Sequence, residues 1–252
     1  MIKVILVGCN GKMGSAITER IKESDGIIIA AGVDKYLGVE REYPVYDDIF
    51  SVDVSADVII DFSNPEVNEN VVKYAKEKGL GIVVGTTGLS DQQIENINAA
   101  AKEIAVFFTF NMSIGINLLL ELSKKAASVL GNDFDIEIIE QHHNLKLDAP
   151  SGTAFMLANA INETLDSRMQ FTYDRHSVRA KRNKNEIGIH SIRGGNIVGE
   201  HEVIFAGTDE VITLSHSARS KQVFATGAVN AAKFLSGKPS GMYTMKELIE
   251  EE

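Results

Sequence analysis

One cysteine, Cys9, stands in 252 residues, so no internal disulfide can form. No apolar run reaches the length needed to span a bilayer. The N-terminus lacks a signal-peptide pattern, because its first apolar run is short and ends in a glycine loop. The expected compartment is therefore the cytoplasm. Basic residues are in deficit: 25 Lys and Arg against 35 Asp and Glu give a net charge of −10. That balance argues against nonspecific nucleic-acid binding. The motif H-E-x-x-H and the clustered Cys/His spacings of zinc sites are missing. A metal role for His142 and His143, with Glu140 and Asp148 nearby, is therefore not expected. G-x-S-x-G is missing too; Ser151 lies in Pro-Ser-Gly, which offers no hydrolase triad. There is no internal repeat and no low-complexity segment. What remains is a chain that is 44% hydrophobic and 24% charged, ordinary for a globular protein. It is long enough to bury a sizeable core as one large or two modest domains.

The first half reads as alternating strand and helix. Ile2 to Val7 is a short branched apolar run, the mark of a buried parallel strand. Gly8-Cys9-Asn10-Gly11-Lys12-Met13-Gly14 follows, then Ala16, Ile17, Arg20 and Ile21 at helical spacing. Strand, glycine loop and helix are the setting of a dinucleotide fingerprint. A second strand, Ile27 to Val33, ends at Asp34, where an acid would meet ribose hydroxyls. One departure stands out: Asn10 occupies the middle glycine position. Asn tolerates left-handed backbone angles, so the turn is expected to survive, with its side chain near the pyrophosphate. Val58 to Ser63 is a third strand, and Asn64-Pro65-Glu66 starts a helix that Gly79 closes. Ile82 to Val84 runs into Gly85-Thr86-Thr87-Gly88, and Ser90 to Gln93 has the capping-box pattern. Val106 to Thr109 leads into Phe110-Asn111-Met112-Ser113. These elements predict a Rossmann-like doubly wound parallel sheet whose ligand crevice lies at the strand carboxyl ends.

After Leu130 the pattern changes. Asp135 to Glu140 is a strand that delivers Gln141-His142-His143-Asn144-Leu145-Lys146-Leu147-Asp148. Histidine titrates near neutral pH and can donate a proton, and lysine adds a fixed cation. Pro150-Ser151-Gly152-Thr153 reads as a turn opening a helix, and a helix start is an anion site. Together these groups point to chemistry on a small carboxylate. Glu186 to Arg193, Gly199 to Ala206 and Glu210 to His216 are strands of a second α+β domain with a mixed or antiparallel sheet. His190, His201 and His216 fall on those strands and read as structural. The basic run from Arg175 to Lys184 reads as a mobile surface loop, and with Arg193 as a reserve of positive charge. Val223 to Leu235 forms a helix returning to the first domain, and Glu247, Glu250, Glu251 and Glu252 read as a solvated tail. The expected boundaries are 1–112 with 222–252 for the dinucleotide-binding domain, and 113–221 for the substrate-binding and oligomerisation domain.

Along nearly its whole length the chain resembles the 4-hydroxy-tetrahydrodipicolinate reductase (dihydrodipicolinate reductase) family. The resemblance rests on Gly8-x-x-Gly11-Lys12-Met13-Gly14, Gly85-Thr86-Thr87-Gly88 and Asn111-Met112-Ser113. It rests further on Glu140-x-His142-His143-x-x-Lys146-x-Asp148-Ala149-Pro150-Ser151-Gly152-Thr153-Ala154, and on Ile192 to Gly195 with Gly199-Glu200-His201. It implies a two-domain reductase, a homotetramer joined through the second domain's sheets, NADPH or NADH as hydride donor and a cyclic dicarboxylate substrate. It implies hydride delivery to C4 of the ring, with His142 as proton donor and Lys146 as second catalytic group. His143, Gly152 and Thr153 match positions that hold the substrate carboxylate; Asp148 matches no catalytic acid. Cofactor contacts are implied for Gly8, Cys9, Asn10, Gly11, Lys12, Met13, Asp34 and Lys35. They are also implied for Gly85, Thr86, Thr87, Thr109, Phe110, Asn111 and Met112.

Two other readings stay open on the fold. One is a non-catalytic NAD(P)-binding sensor, which has no need for His-His-x-x-Lys beside a carboxylate cradle. The other is a different two-domain amino-acid-pathway dehydrogenase, such as homoserine dehydrogenase, which lacks that motif. Because hydride transfer needs the reacting carbons in near contact and water excluded, closure about hinges near Met112–Ser113 and Arg219–Gln222 is expected.

Overall fold

Branched apolar residues followed by glycine favour strands buried on both faces, and the chain begins with one. The computed structural model describes residues 1–131 and 133–251. In chain order it runs β1 (Ile2–Val7), α1 (Lys12–Lys22), β2 (Ile27–Val33), β3 (Val45–Tyr46), β4 (Val58–Asp61), α2 (Pro65–Lys78), β5 (Gly81–Val84), α3 (Asp91–Ala100) and β6 (Ala105–Phe108). Then come α4 (Ile114–Leu130), β7 (Asp135–His142), α5 (Gly152–Thr164), β8 (Gln170–Thr172), β9 (Glu186–Arg193), β10 (Gly199–Ala206) and β11 (Val211–Ala218). The chain returns through α6 (Gln222–Leu235), β12 (Gly241–Tyr243) and α7 (Met245–Glu251). It divides into two compact units: Met1–Ile114 together with the segment from Lys221 onward, and Gly115–Ser220.

Among the described residues the first unit's sheet has seven strands in the order β12-β6-β5-β4-β1-β2-β3. Every pairing in it is parallel. Side chains alternate across a strand, so β1 sends Val4 and Leu6 to one face and Ile5 and Val7 to the other. The first face packs with Ile17 and Ile21 of α1 and with Ala228, Val229 and Leu235 of α6. The second packs with Val71 and Ala75 of α2 and Ile97 of α3. The order reverses beside β1: the chain leaves it for β2 on one side and adds β4 on the other. That switch point opens a crevice at the strand carboxyl ends.

Local chemistry sets the helix ends. Gly79 closes α2 in the left-handed region at φ +66°, its N–H bonded to the Ala75 and Lys76 carbonyls. Ser90 and Gln93 form the capping box of α3. Asn64 occupies the N-cap of α2 without a side-chain bond, so Pro65 at the first turn is what marks that start. The predicted third strand overshoots: β4 ends at Asp61, and Phe62 and Ser63 turn away into the crevice rim.

The second unit's sheet has five strands among the described residues, in the order β11-β10-β7-β9-β8. It is mixed: β10 pairs antiparallel with β11 and β7, while β7–β9 and β9–β8 are parallel. Ile136, Ile138, Ile187, Ile189, Val203 and Phe205 face Ile116, Leu119 and Ala127 of α4 and Ala154, Leu157 and Ile161 of α5. The opposite face carries a row of Glu137 and Ile204 and a row of Ile139, His190 and Glu202. The basic run is anchored there rather than detached. Arg175 bonds Glu137 and Glu186, and Arg182 bonds Glu137, Asp135 and three backbone carbonyls. Those two arginines are therefore not a reserve for an anionic ligand.

The C-terminal acids are not simply a tail. Glu247 accepts the Thr244 N–H and hydroxyl at the start of α7, and Met245 and Leu248 are buried. Glu251 pairs with Lys238. Glu252 lies outside the described residues.

Candidate active site

In the first unit the glycine loop leaves β1 under tight steric terms. Gly8 has φ +79°, and a Cβ there would meet the Phe62 carbonyl. A Cβ at Gly14 would meet the Gly8 carbonyl. The left-handed residue of the turn is Gly8, and Asn10 is not among the positive-φ residues. The expectation that Asn10 keeps the turn by adopting left-handed angles is thus not how the loop works. The Gly8 N–H donates to the Val33 carbonyl at 2.8 Å and the Gly11 N–H to the Gly8 carbonyl at 3.1 Å. Asp34 receives two backbone donors, the Asn10 N–H at 2.9 Å and the Tyr36 N–H at 3.0 Å.

A cavity of about 480 Å³ opens beside this loop, within the range of small-molecule sites. Its lining includes Gly8, Gly11, Asp34, Lys35, Ser63 and Asn64. The residues therefore fit a dinucleotide: a glycine turn that admits no Cβ, a helix start and a ribose-level acid at one crevice. The other predicted cofactor residues stand outside that lining. Cys9 turns its thiol into the core, where burial and then Asp34 push its pKa up to about 11, so only its backbone faces the loop. Met112 is also buried in the core, Met13 is half-buried, and Lys12 is exposed. Gly85 lies under the Phe62 ring with its N–H on the Asp61 carbonyl, followed by buried Thr86 and exposed Thr87. Thr109 Oγ1 accepts the Asn111 N–H, Asn111 Oδ1 accepts the Ser113 N–H, and Phe110 is 77% exposed.

Sequence reasoning passed over Asp61. It is fully buried, and its carboxylate accepts from Ser63 N–H and Oγ and from Asn68 Nδ2. With no cation among those partners, burial raises its pKa while the donors partly oppose it. It fastens the rim from Phe62 to Asn64. The available signal was an acid at the inward end of an apolar strand.

In the second unit β7 delivers Glu140 and His142 on one side of the strand. Glu140 is fully buried, and Arg193 grips it with two bonds, Nη2 to Oε1 at 2.7 Å and Nη1 to Oε2 at 2.8 Å. Ser151 N–H donates to Oε1 at 3.1 Å, and His142 Nδ1 lies 2.6 Å from Oε2. Burial alone would raise the Glu140 pKa; Arg193, Ser191 and His142 override it and hold it at about 2. His142 is pulled down by burial, against the opposing pull of Glu140. Its Nδ1 is committed to the carboxylate, so Nε2 is the nitrogen left for chemistry. Gly199 leaves room there, since a Cβ would lie 3.2 Å from Nε2.

The remaining predicted residues gather on the same segment. Lys146 Nζ pairs with Asp148 Oδ1 at 2.8 Å, which lowers the Asp148 pKa. Asp148 thus acts as a partner of lysine, not as an acid. The His143 carbonyl accepts the Lys146 N–H, and the buried His143 Nδ1 has no hydrogen-bond partner among the described residues. Ser151 caps α5 by accepting the Ala154 N–H, which places Gly152 and Thr153 in the first turn. His201 was read as structural. It is buried, its Nε2 lies 3.1 Å from Ser151 Oγ, and its ring stands edge-to-face with His142 at 5.2 Å. It therefore braces both the cap and the His142 imidazole. His190 pairs with Glu137 on the opposite face, and burial lowers the His216 pKa. Among the described residues no cluster suited to a metal ion occurs.

The His201 pKa is lowered to about 4, chiefly by burial and then by His142. A folded pKa below the ordinary value near 6.5 means stability is full above that value and is lost as pH falls towards about 4. Urea denaturation at about pH 7.5 and about pH 5 should show this loss, and His201→Gln should shrink it, by up to about 1.4 kcal/mol per pH unit. An unchanged pH slope in the variant would contradict the assignment.

Comparison with known proteins places both units in one family. Residues 2–112 match the family model described as "Dihydrodipicolinate reductase, N-terminus", and residues 115–249 match "Dihydrodipicolinate reductase, C-terminus". A 4-hydroxy-tetrahydrodipicolinate reductase of Caldanaerobacter subterraneus subsp. tengcongensis is 51% identical, over 100% of this chain and 99% of that one. One of Clostridium novyi is 47% identical over 100% of both. In structure the chain is similar to the dipicolinate-bound dihydrodipicolinate reductase from Paenisporosarcina sp. TG-14. The TM-score is 0.82 at 27% identity, covering 97% of each chain. The chain belongs to the 4-hydroxy-tetrahydrodipicolinate (dihydrodipicolinate) reductase family and is an oxidoreductase of lysine and diaminopimelate biosynthesis.

Proposed function

We propose that the chain reduces 4-hydroxy-tetrahydrodipicolinate to tetrahydrodipicolinate with NADH or NADPH. The observation that carries this reading is Glu140, buried between Arg193 and His142, on the segment that also bears Lys146 and opens α5. The test is loss of nicotinamide absorbance when the enzymatically generated intermediate is supplied. No turnover at saturating cofactor would overturn it in favour of a non-catalytic sensor.

A bound nicotinamide supplies the hydride. Gly8, Cys9, Asn10, Gly11, Lys12 and Met13 form the loop and helix start that receive the pyrophosphate. Asp34 and Lys35 meet the adenosine ribose. Gly85, Thr86, Thr87, Thr109, Phe110, Asn111 and Met112 supply the loops for the nicotinamide end. In the second unit His143 and the first turn at Gly152 and Thr153 hold a substrate carboxylate. Loss of the 4-hydroxyl as water gives the unsaturated ring, and hydride arrival at its C4 leaves an enamine that must gain a proton. His142 delivers it from Nε2, while Glu140 holds Nδ1 and stabilises the imidazolium. Burial disfavours the charged form of His142, and a dianionic substrate beside it favours that form, so binding promotes proton uptake. Lys146 stabilises the developing charge and offers a second proton.

The open sheet face of the second unit, with Ile139 and Ile204 among polar residues, suits self-association, and a homotetramer in the cytoplasm is the proposed state. Sedimentation equilibrium should give four chains per particle; a monomer would refute the assembly.

His142→Gln should lower kcat by about 10²–10⁴-fold with a much smaller change in KM, because proton delivery acts in the transition state. Lys146→Ala should lower kcat and also raise the dicarboxylate KM. Near-normal turnover of His142→Gln would remove it as the proton donor. On cofactor choice, Asp34, Asp47, Asp48 and Glu66 line the crevice and oppose a 2′-phosphate, whereas Lys35 and Lys12 offset them. Both cofactors should serve, with NADH ahead by less than about a hundredfold, roughly 2.7 kcal/mol; steady-state kinetics with each decides.

A further inference from the structure

The middle glycine of a dinucleotide loop lets the backbone approach the pyrophosphate, and here that position holds Asn10. Its amide is engaged at both ends. Nδ2 donates to the Tyr36 carbonyl at 2.6 Å, and Oδ1 accepts Arg41 Nε at 2.9 Å. Arg41 then reaches the loop itself: Nη2 donates to the Cys9 carbonyl at 2.7 Å and to Ser15 Oγ at 2.9 Å. A planar guanidinium can serve three such acceptors at fixed angles; a lysine ammonium cannot. Neither Asn10 nor Arg41 is among the residues lining the crevice.

We propose that Arg41 is a positioning residue for the dinucleotide: it latches the Asn10 side chain onto the segment 34–41 and so clears the phosphate path that a glycine would otherwise leave open. The inference rests on the cofactor reading above. The pair works as one unit. Asn10 without Arg41 keeps a single tether, the Tyr36 carbonyl, and Arg41 without Asn10 keeps the Cys9 carbonyl and Ser15 but has no side chain to hold back. The segment carrying Arg41 is tied to α1 independently, through Tyr43 with Thr18 and Lys22 with Glu42, so losing the latch does not release it.

The test is titration of NADH into the purified protein, with a thermal melt of each variant. Arg41→Leu should raise the NADH dissociation constant about tenfold, with the kinetic effect on the cofactor KM rather than on kcat. Arg41→Lys should recover little of the loss. Adding Asn10→Gly to Arg41→Leu should restore most of the affinity, because no side chain then needs holding back. Arg41→Leu binding as tightly as the wild type, or losses that simply add in the double variant, would overturn the latch. Should Arg41→Leu not fold, Arg41→Lys with and without Asn10→Gly gives the same comparison. Wild-type protein that binds neither NADH nor NADPH would refute the cofactor reading itself, a result distinct from failure of the latch.

Discussion

A carboxylate removed from water stays ionised only if charge and hydrogen bonds replace the solvent it lost. Glu140 meets that condition through one arginine, one serine hydroxyl, one backbone amide and one imidazole. These partners come from β9, the start of α5 and the end of β7, so the carboxylate joins three pieces of the second unit. Removing Arg193 alone would leave a buried unpaired charge, which is far costlier than an absent pair. The same contact fixes which nitrogen of His142 is available. Orientation of the imidazole and closure of the sheet around it are thus one event. Arg193 also bonds the Asp148 carbonyl, which carries the constraint out to the loop bearing Lys146.

The nucleotide crevice follows a different logic, since backbone geometry rather than ionic pairing defines it. Gly8 and Gly14 sit where any side chain would collide with backbone, and the loop closes against Phe62. Asp34 accepts two backbone amides and thereby couples the glycine loop to the chain after β2. Asp61 performs the equivalent task for the rim beyond β4 with neutral donors alone. One unit is organised by a buried ion pair, the other by steric exclusion and amide bonds to carboxylates.

Much of this was legible in the sequence. Period-two alternation, with Gly194-Gly195 and Gly207-Thr208-Asp209 as separators, marks Glu186 to Arg193 and Gly199 to Ala206, whose strands have those limits. Gly79 and the Ser90–Gln93 box mark helix ends because they act through local backbone chemistry. The strands β3, β8 and β12 carry two or three residues each, too few to show any period. Helix α7 was hidden by its glutamates, although Met245 and Leu248 carry the apolar spacing. At the site, the His-His-x-x-Lys segment announced itself by residue type. The bracing role of His201 did not, yet it continues the inward row of Phe205 and Val203, as Glu140 continues that of Ile136 and Ile138. Arg41 left no signal, since its partners lie 26 to 32 positions away.

The return of the chain to its first unit has a consequence for how the protein is made. One face of the parallel sheet is covered by Ala225, Ala228, Val229, Ala232 and Leu235 of α6 and by Leu248 of α7, with β12 added at the β6 edge. None of those residues exists while the ribosome is still translating the five-stranded sheet. The face bearing Val4, Leu6 and Phe107 therefore stays incomplete until α6 and α7 have been made. The second unit, contiguous from Gly115 to Ser220, has all its strands in hand earlier. Although β1 to β6 precede every strand of the second unit, the first unit is completed after it.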